Sequence, residues 1–146
     1  MQSPMDLALQ QARAAVAVGE APIGAVVVHG GAVIAQAHNR VLGLKDPTAH
    51  AEILAIRQAA LALDNERLLG CDLYTTLEPC AMCAQAIAFA RIRRLYFGAE
   101  DRKGGGVVHG ARVFSHATCH HKPEIYGGVG EREAALLLRD FFKARR

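Results

Sequence analysis

No stretch of this sequence stays apolar for the roughly 18 residues that a membrane helix needs, so no membrane partner is expected. It opens on Met1-Gln2-Ser3-Pro4, with neither a charged leader nor an apolar core, so no signal peptide and a cytoplasmic location are expected. Internal repeats, linkers and low-complexity segments are also missing. There is little excess charge: 17 basic against 14 acidic residues leave a net +3, too little to establish a nucleic-acid partner. The basic residues do gather at Arg91, Arg93 and Arg94, and again at Arg139, Lys143, Arg145 and Arg146. Such clusters suit a phosphate-rich partner, but an ordinary solvated surface shows them too. Cysteine is sparse as well. Four could form two disulfides, but Cys80 and Cys83 stand at a metal-type spacing and nothing points to secretion. With 51% apolar and 21% charged residues the chain is not disordered, and 146 residues suit a single domain, 1–146, with a core of its own.

The periodicity predicts a helix from Ser3-Pro4-Met5-Asp6, a capping-box pattern, to Gly19. Ile23 to His29 is short and β-branched, Gly30-Gly31 is a hairpin signal, and Ala32 to Ala37 completes an antiparallel pair. Residues 39–48 read as a loop, containing Gly43 and Asp46-Pro47. A second helix covers 49–63 with His50 in its first turn. A third strand covers 71–76, and Glu78-Pro79 opens a third helix running to about Ala90. A fourth strand covers 94–98. Residues 111–128 are irregular except for a short strand at Glu124-Ile125-Tyr126, and a last amphipathic helix covers 134–143. A hairpin followed by strand–helix–strand crossovers predicts an α/β fold of three layers, a mixed five-stranded sheet with helices on both faces.

The chemistry centres on His50-Ala51-Glu52 and Pro79-Cys80-Ala81-Met82-Cys83. Cys80 and Cys83 are three apart and share a helix face. In a first turn, the helix dipole favours their thiolate forms. One histidine and two cysteines make three ligands. That is the number a catalytic zinc ion takes, with the fourth position left for water, whereas a structural site takes four. Glu52 lies about 200° round a regular helix from His50, which suits a proton carrier and not a ligand. Two other readings stay open on residues alone. Cys-x-x-Cys could be a redox pair, and Cys119, His120 or His121 could complete a structural zinc site. Cys71 reads as a small buried residue, His29 and His38 as strand-end residues, and one of His109, His116, His120 and His121 as a candidate phosphate contact.

The two halves read H-x-E … P-C-x-x-C, the pattern of zinc-dependent nucleobase deaminases. Residues 46–53 and 75–83 narrow the likeness. With Glu20-Ala21-Pro22-Ile23-Gly24-Ala25-Val26, Asn39-Arg40, Phe97-Gly98-Ala99 and Asp140-Phe141-Phe142, the chain resembles the bacterial tRNA-specific adenosine deaminases. The resemblance implies a cytidine deaminase-like fold and hydrolytic conversion of the wobble adenosine of a tRNA anticodon to inosine, with release of ammonia. It implies one Zn2+ per subunit on His50, Cys80 and Cys83, with Glu52 carrying the protons. It also implies substrate contacts at Asn39, Ala51, Leu77 and Asp101, an anticodon stem-loop as partner, and a homodimer. Lys103-Gly104-Gly105-Gly106-Val107-Val108-His109 and His120-His121 depart from the family pattern. Two alternatives are carried forward: a deaminase of a free guanine- or cytosine-type base or nucleoside, and a non-catalytic zinc-stabilised binding module.

Overall fold

The computed structural model describes residues 2–145. Helix α1 (Pro4–Ala17) begins as predicted: the Ser3 hydroxyl accepts from the Asp6 amide, and the Asp6 carboxylate accepts from the Ser3 amide. The hairpin β1 (Gly24–His29) and β2 (Ala32–His38) follows. A four-residue helix α2 (Val41–Leu44) then interrupts the expected loop. It forms because buried Glu20 accepts from the Leu42 and Gly43 amides at 3.2 and 2.8 Å, supplying partners that a single helical turn lacks. Helix α3 (Ala51–Leu63), β3 (Cys71–Leu77), α4 (Ala81–Phe89) and β4 (Arg94–Ala99) come next. The chain ends with a 3-10 turn (Val113–Ser115), β5 (Glu124–Tyr126) and α5 (Glu131–Ala144), the last three residues earlier in start than predicted.

The sheet order is β2-β1-β3-β4-β5. β1 runs antiparallel to β2 and β3, whereas β3, β4 and β5 are parallel, giving the mixed five-stranded sheet. Alternation of side chains then sorts the core onto two faces. Ala25, Val27, Leu73, Leu95 and Phe97 pack with Ala51, Ala55 and Ala59 of α3 and with Ala84 and Ile87 of α4. Val26, Tyr74 and Tyr96 pack with Met5, Ala8 and Leu9 of α1 and with Ala134 of α5. The result is the three-layer α/β/α, cytidine deaminase-like architecture. On the second face Tyr74, Tyr96 and Tyr126 stack in register across three strands, with ring centroids 4.4 and 5.0 Å apart.

The close approach of α1 depends on one glycine. A Cβ on Gly24 would stand 2.0 Å from the Ala8 carbonyl oxygen and 2.8 Å from the Ala12 nitrogen, both backbone atoms that cannot rotate away. Gly24→Ala is therefore expected to cost about 3 kcal/mol or more of unfolding free energy, measured by urea denaturation. An unchanged midpoint would show that α1 does not seat on β1 this closely.

The register also accounts for the first basic cluster. Arg93 makes two hydrogen bonds to Asp72, and Arg94 reaches Glu124 on the neighbouring strand. Both cations are thus paired at the N-terminal ends of the parallel strands. Of the second cluster, Arg139 pairs with Asp140 and Arg145 lies 3.5 Å over the Phe141 ring, while Arg146 falls outside the described residues.

Candidate active site

The site forms where two helices begin. His50 is the N-cap of α3 and Cys80 the N-cap of α4, both in extended backbone (φ −73°, ψ 152° and φ −70°, ψ 175°). This corrects the expected first-turn placement by one residue, and Pro79 stands before the cap and not at the first helical position. An N-cap side chain ordinarily folds back onto the helix amides. Neither imidazole nor thiol does so, which leaves both free to meet another group. Cys83 is the third residue of α4 and is fully buried. Because β3, α4 and β4 form a parallel crossover, α4 starts at the C-terminal end of β3, where open α/β sheets place their ligands.

His50 Nδ1 lies 3.6 Å from Cys80 Sγ and 3.5 Å from Cys83 Sγ. A tetrahedral ion with bonds of about 2.3 Å to sulfur and 2.0–2.1 Å to nitrogen holds such ligands about 3.6 Å apart. The three side chains thus fit a metal ion without rearrangement, and among the described residues no fourth ligand joins their cluster. Cys119, His120 and His121 are not part of it. His121 Nε2 contacts the Ile92 carbonyl, Cys119 donates to the His121 carbonyl, and His116 contacts the Ala111 carbonyl.

The protonation pattern follows from crowding. A hydrogen bond from Cys83 holds the Cys80 thiol at about 4, far below its ordinary range. The same bond, with burial, pushes Cys83 up, so the proton the pair shares sits on Cys83. The bond to Cys80 raises His50. A metal cation would displace that proton, since thiol ligands bind as thiolates.

Glu52, on the first turn of α3, is buried against this group, and its Oε1 has no hydrogen-bond partner among the described residues. Burial raises its carboxyl to about 7. A buried polar atom left unpartnered is costly and rare. Here it marks a place for a water or a substrate atom. A carboxyl poised near neutrality can both take and return a proton.

Asn39 is buried at the end of β2, and its Oδ1 accepts from the Ala51 amide at 2.8 Å. That bond fixes the amide's orientation and reserves the NH2 end, which has no protein partner among the described residues. Ala51 is fully buried at the start of α3. Leu77 ends β3 but packs with the cluster on the α1 and α5 side. Asp101 turns its carboxylate into its own loop, accepting from the Lys103 and Gly104 amides.

Sequence reasoning missed Glu78. It lies immediately before the Pro79–Cys83 motif, fully buried, and gathers four backbone amides from 101–109. The one trace of this in the sequence is the run Gly104-Gly105-Gly106. A Cβ on Gly105 would stand 2.4 Å from Glu78 Oε2, and one on Gly106 would stand 2.5 Å from the Ala81 nitrogen.

A sheet of this order, two helix N-termini aimed at one point, and a desolvated carboxyl beside one imidazole and two thiols are the arrangement of a hydrolytic deaminase. The family model for MafB19-like deaminases matches residues 1–146. A curated relative, the tRNA-specific adenosine deaminase of Agrobacterium fabrum, is 59% identical over 142 residues, which is 97% of this chain and 93% of the relative. The chain belongs to the tRNA-specific adenosine deaminase family. A solved structure from work on A-to-I editing by tRNA:A34 deaminases at the wobble position of transfer RNA superposes with a TM-score of 0.91 at 59% identity. That match covers 92% of this chain and 98% of the other. A guanine deaminase from Nitrosomonas europaea shares the fold at a TM-score of 0.81 and 26% identity, covering 97% and 85%.

Proposed function

We propose that this chain deaminates the wobble adenosine of a tRNA anticodon to inosine, using one Zn2+ held by His50, Cys80 and Cys83. The chemistry is carried by one observation: the unpartnered Glu52 Oε1 beside a triad at tetrahedral zinc spacing. When bound, zinc supplies Lewis-acid activation of a water molecule. Glu52 takes one proton from the attacking water and passes it to the ring nitrogen beside C6, then takes the second from the hydroxyl now on C6 and passes it to the departing amine. C6 thereby gains oxygen and loses its nitrogen as ammonia. The NH2 of Asn39, fixed through the Ala51 amide, hydrogen-bonds the extruded base, and the loop that begins at Asp101 meets the RNA beside it. The adenosine in tRNA is supported by 59% identity to a named tRNA deaminase over 97% of the chain, against two guanine deaminases at 26% over 97% and 43% over only 68% of it. A homodimeric, single-domain, cytoplasmic enzyme accords with this reading.

The test is to incubate purified protein with an anticodon stem-loop bearing wobble adenosine and, in parallel, with free guanine, cytosine and adenosine. Inosine in the RNA alone is expected, and deamination of a free base alone would overturn the substrate. Stem-loop affinity should fall with salt, log K changing by about −0.7 per phosphate contacted for each unit of log salt. A salt-independent affinity would favour the free-base enzyme.

A further inference from the structure

Glu78 stands between Leu77 and Pro79, and neither the proton transfer nor the metal group uses it. Its side chain is wholly shielded from solvent. Oε1 accepts from the Asp101 amide at 3.0 Å; Oε2 accepts from Val107, Val108 and His109 at 3.1, 3.0 and 3.0 Å. A buried carboxylate is tolerated only with such a full set of donors. All four hydrogen-bond donors are backbone amides, so Glu78 dictates the path of the loop mainly through its main chain; the one loop side chain against the carboxylate is the His109 imidazole, its Nε2 4.0 Å from Oε1.

The loop then closes onto the metal-binding turn. The Gly106 amide donates to the Pro79 carbonyl at 2.8 Å, and the Val113 amide donates to the Gly106 carbonyl at 2.8 Å. Neither Gly105 nor Gly106 has room for a side chain. Segment 101–109 is thus laid directly on residues 78–81, next to Cys80, with Arg102 and Lys103 exposed on its outer side.

We propose that Glu78 is a positioning residue for substrate recognition. It holds the 101–109 loop, with its two exposed cations, in a preset position at the start of α4 so that RNA flanking the target nucleotide meets an ordered surface. The proposal rests on the RNA reading above. Glu78 has no hydrogen bond to His50, Glu52, Cys80 or Cys83, so it acts through the loop. Ordering the loop in advance removes that cost from binding and leaves the chemical step nearly untouched.

Glu78→Gln is nearly isosteric, but its NH2 must face an amide donor wherever it points, so at least one bond is lost. Gly105→Ala attacks the same contact from the loop side and leaves the carboxylate in place. In both variants, KM for the stem-loop should rise about tenfold while kcat stays within about threefold. Zinc should remain at one ion per chain. Amide hydrogen exchange at Asp101, Val107, Val108 and His109, followed in the zinc-loaded protein without RNA, should speed up by about tenfold or more, with α3 unchanged.

Faster loop exchange with an unchanged KM would overturn the proposal, as would zinc loss with a kcat drop at constant KM. The latter result would make Glu78 a support for the metal turn instead. If one variant does not fold, the other carries the test. Failure of the RNA reading itself would appear separately, as wild-type protein inactive on the stem-loop while the exchange result stands.

Discussion

Glu52→Gln is expected to retain one zinc ion per chain and to lose roughly 10²–10⁴-fold in kcat, the usual worth of a positioned proton carrier. The substitution keeps the shape of the side chain and leaves His50, Cys80 and Cys83 untouched, so binding of the metal and packing of α3 should survive. What goes is the capacity to accept a proton at Oε1 and return it. Stability is expected to move in the opposite direction from activity. Glu52 is buried with one oxygen unpartnered and with its ionised form disfavoured by desolvation. Replacing it with a neutral amide removes the cost of charging that site, so the unfolding midpoint should be equal or higher. An inactive variant that melts no earlier than wild type separates chemistry from folding. Full activity on the stem-loop in Glu52→Gln would sink the mechanism. Glu52→Ala tests the same role with a cavity added. It should be as inactive, with a lower melting temperature and unchanged zinc content.

Why the site could be read so early, and the loop could not, comes down to the range of the interactions. Cys80 and Cys83 are bound by local geometry, because a three-residue spacing at a helix start brings two thiols together whatever surrounds them. The convergence of His50 on them needs more. It depends on a parallel β3–α4–β4 crossover beside a helix from the preceding unit, and hydrophobic alternation with a hairpin signal already implied that order. Periodicity does not resolve the phase of a helix end to one residue, and cysteine and histidine are not usual caps, so both entered the sequence reading one position too deep. Helix α2 was missed because it is too short for any period and holds Gly43. It exists through Glu20, more than twenty residues earlier. Glu78 was hidden for the same reason, since its partners lie 23 to 31 residues downstream and are all backbone. The first basic cluster looked like a free surface until strand register put Asp72 and Glu124 beside Arg93 and Arg94. Of the four late histidines weighed for a phosphate, three contact carbonyls or a carboxylate of the chain itself.

Cys83→Ala is expected to abolish both zinc binding and activity. Cys83 Sγ lies 3.5 Å from His50 Nδ1 in a fully buried position. With that thiol gone, two ligands remain, too few for a zinc site of either kind. Zinc content by elemental analysis should drop from one ion per chain to near zero, and inosine formation should fall to background. Stability offers an independent readout. A ligand that binds only the folded state stabilises it by RT ln(1 + [L]/Kd), so added zinc should raise the melting temperature of metal-stripped wild type and leave the variant unmoved. Without metal, the two proteins should differ only by the small cavity left by one sulfur, about 1–2 kcal/mol. The fold itself should persist, because the core clusters on both faces of the sheet are built from aliphatic and aromatic packing. The comparison also separates the competing readings of Cys-x-x-Cys. A redox pair would lose a reversible disulfide in the variant but show no zinc-dependent shift in the wild type. A structural zinc module would show the shift, yet the wild type would form no inosine. Zinc-dependent stabilisation and zinc-dependent deamination, lost together on removal of one buried sulfur, are the combined outcome that only a three-ligand catalytic site produces.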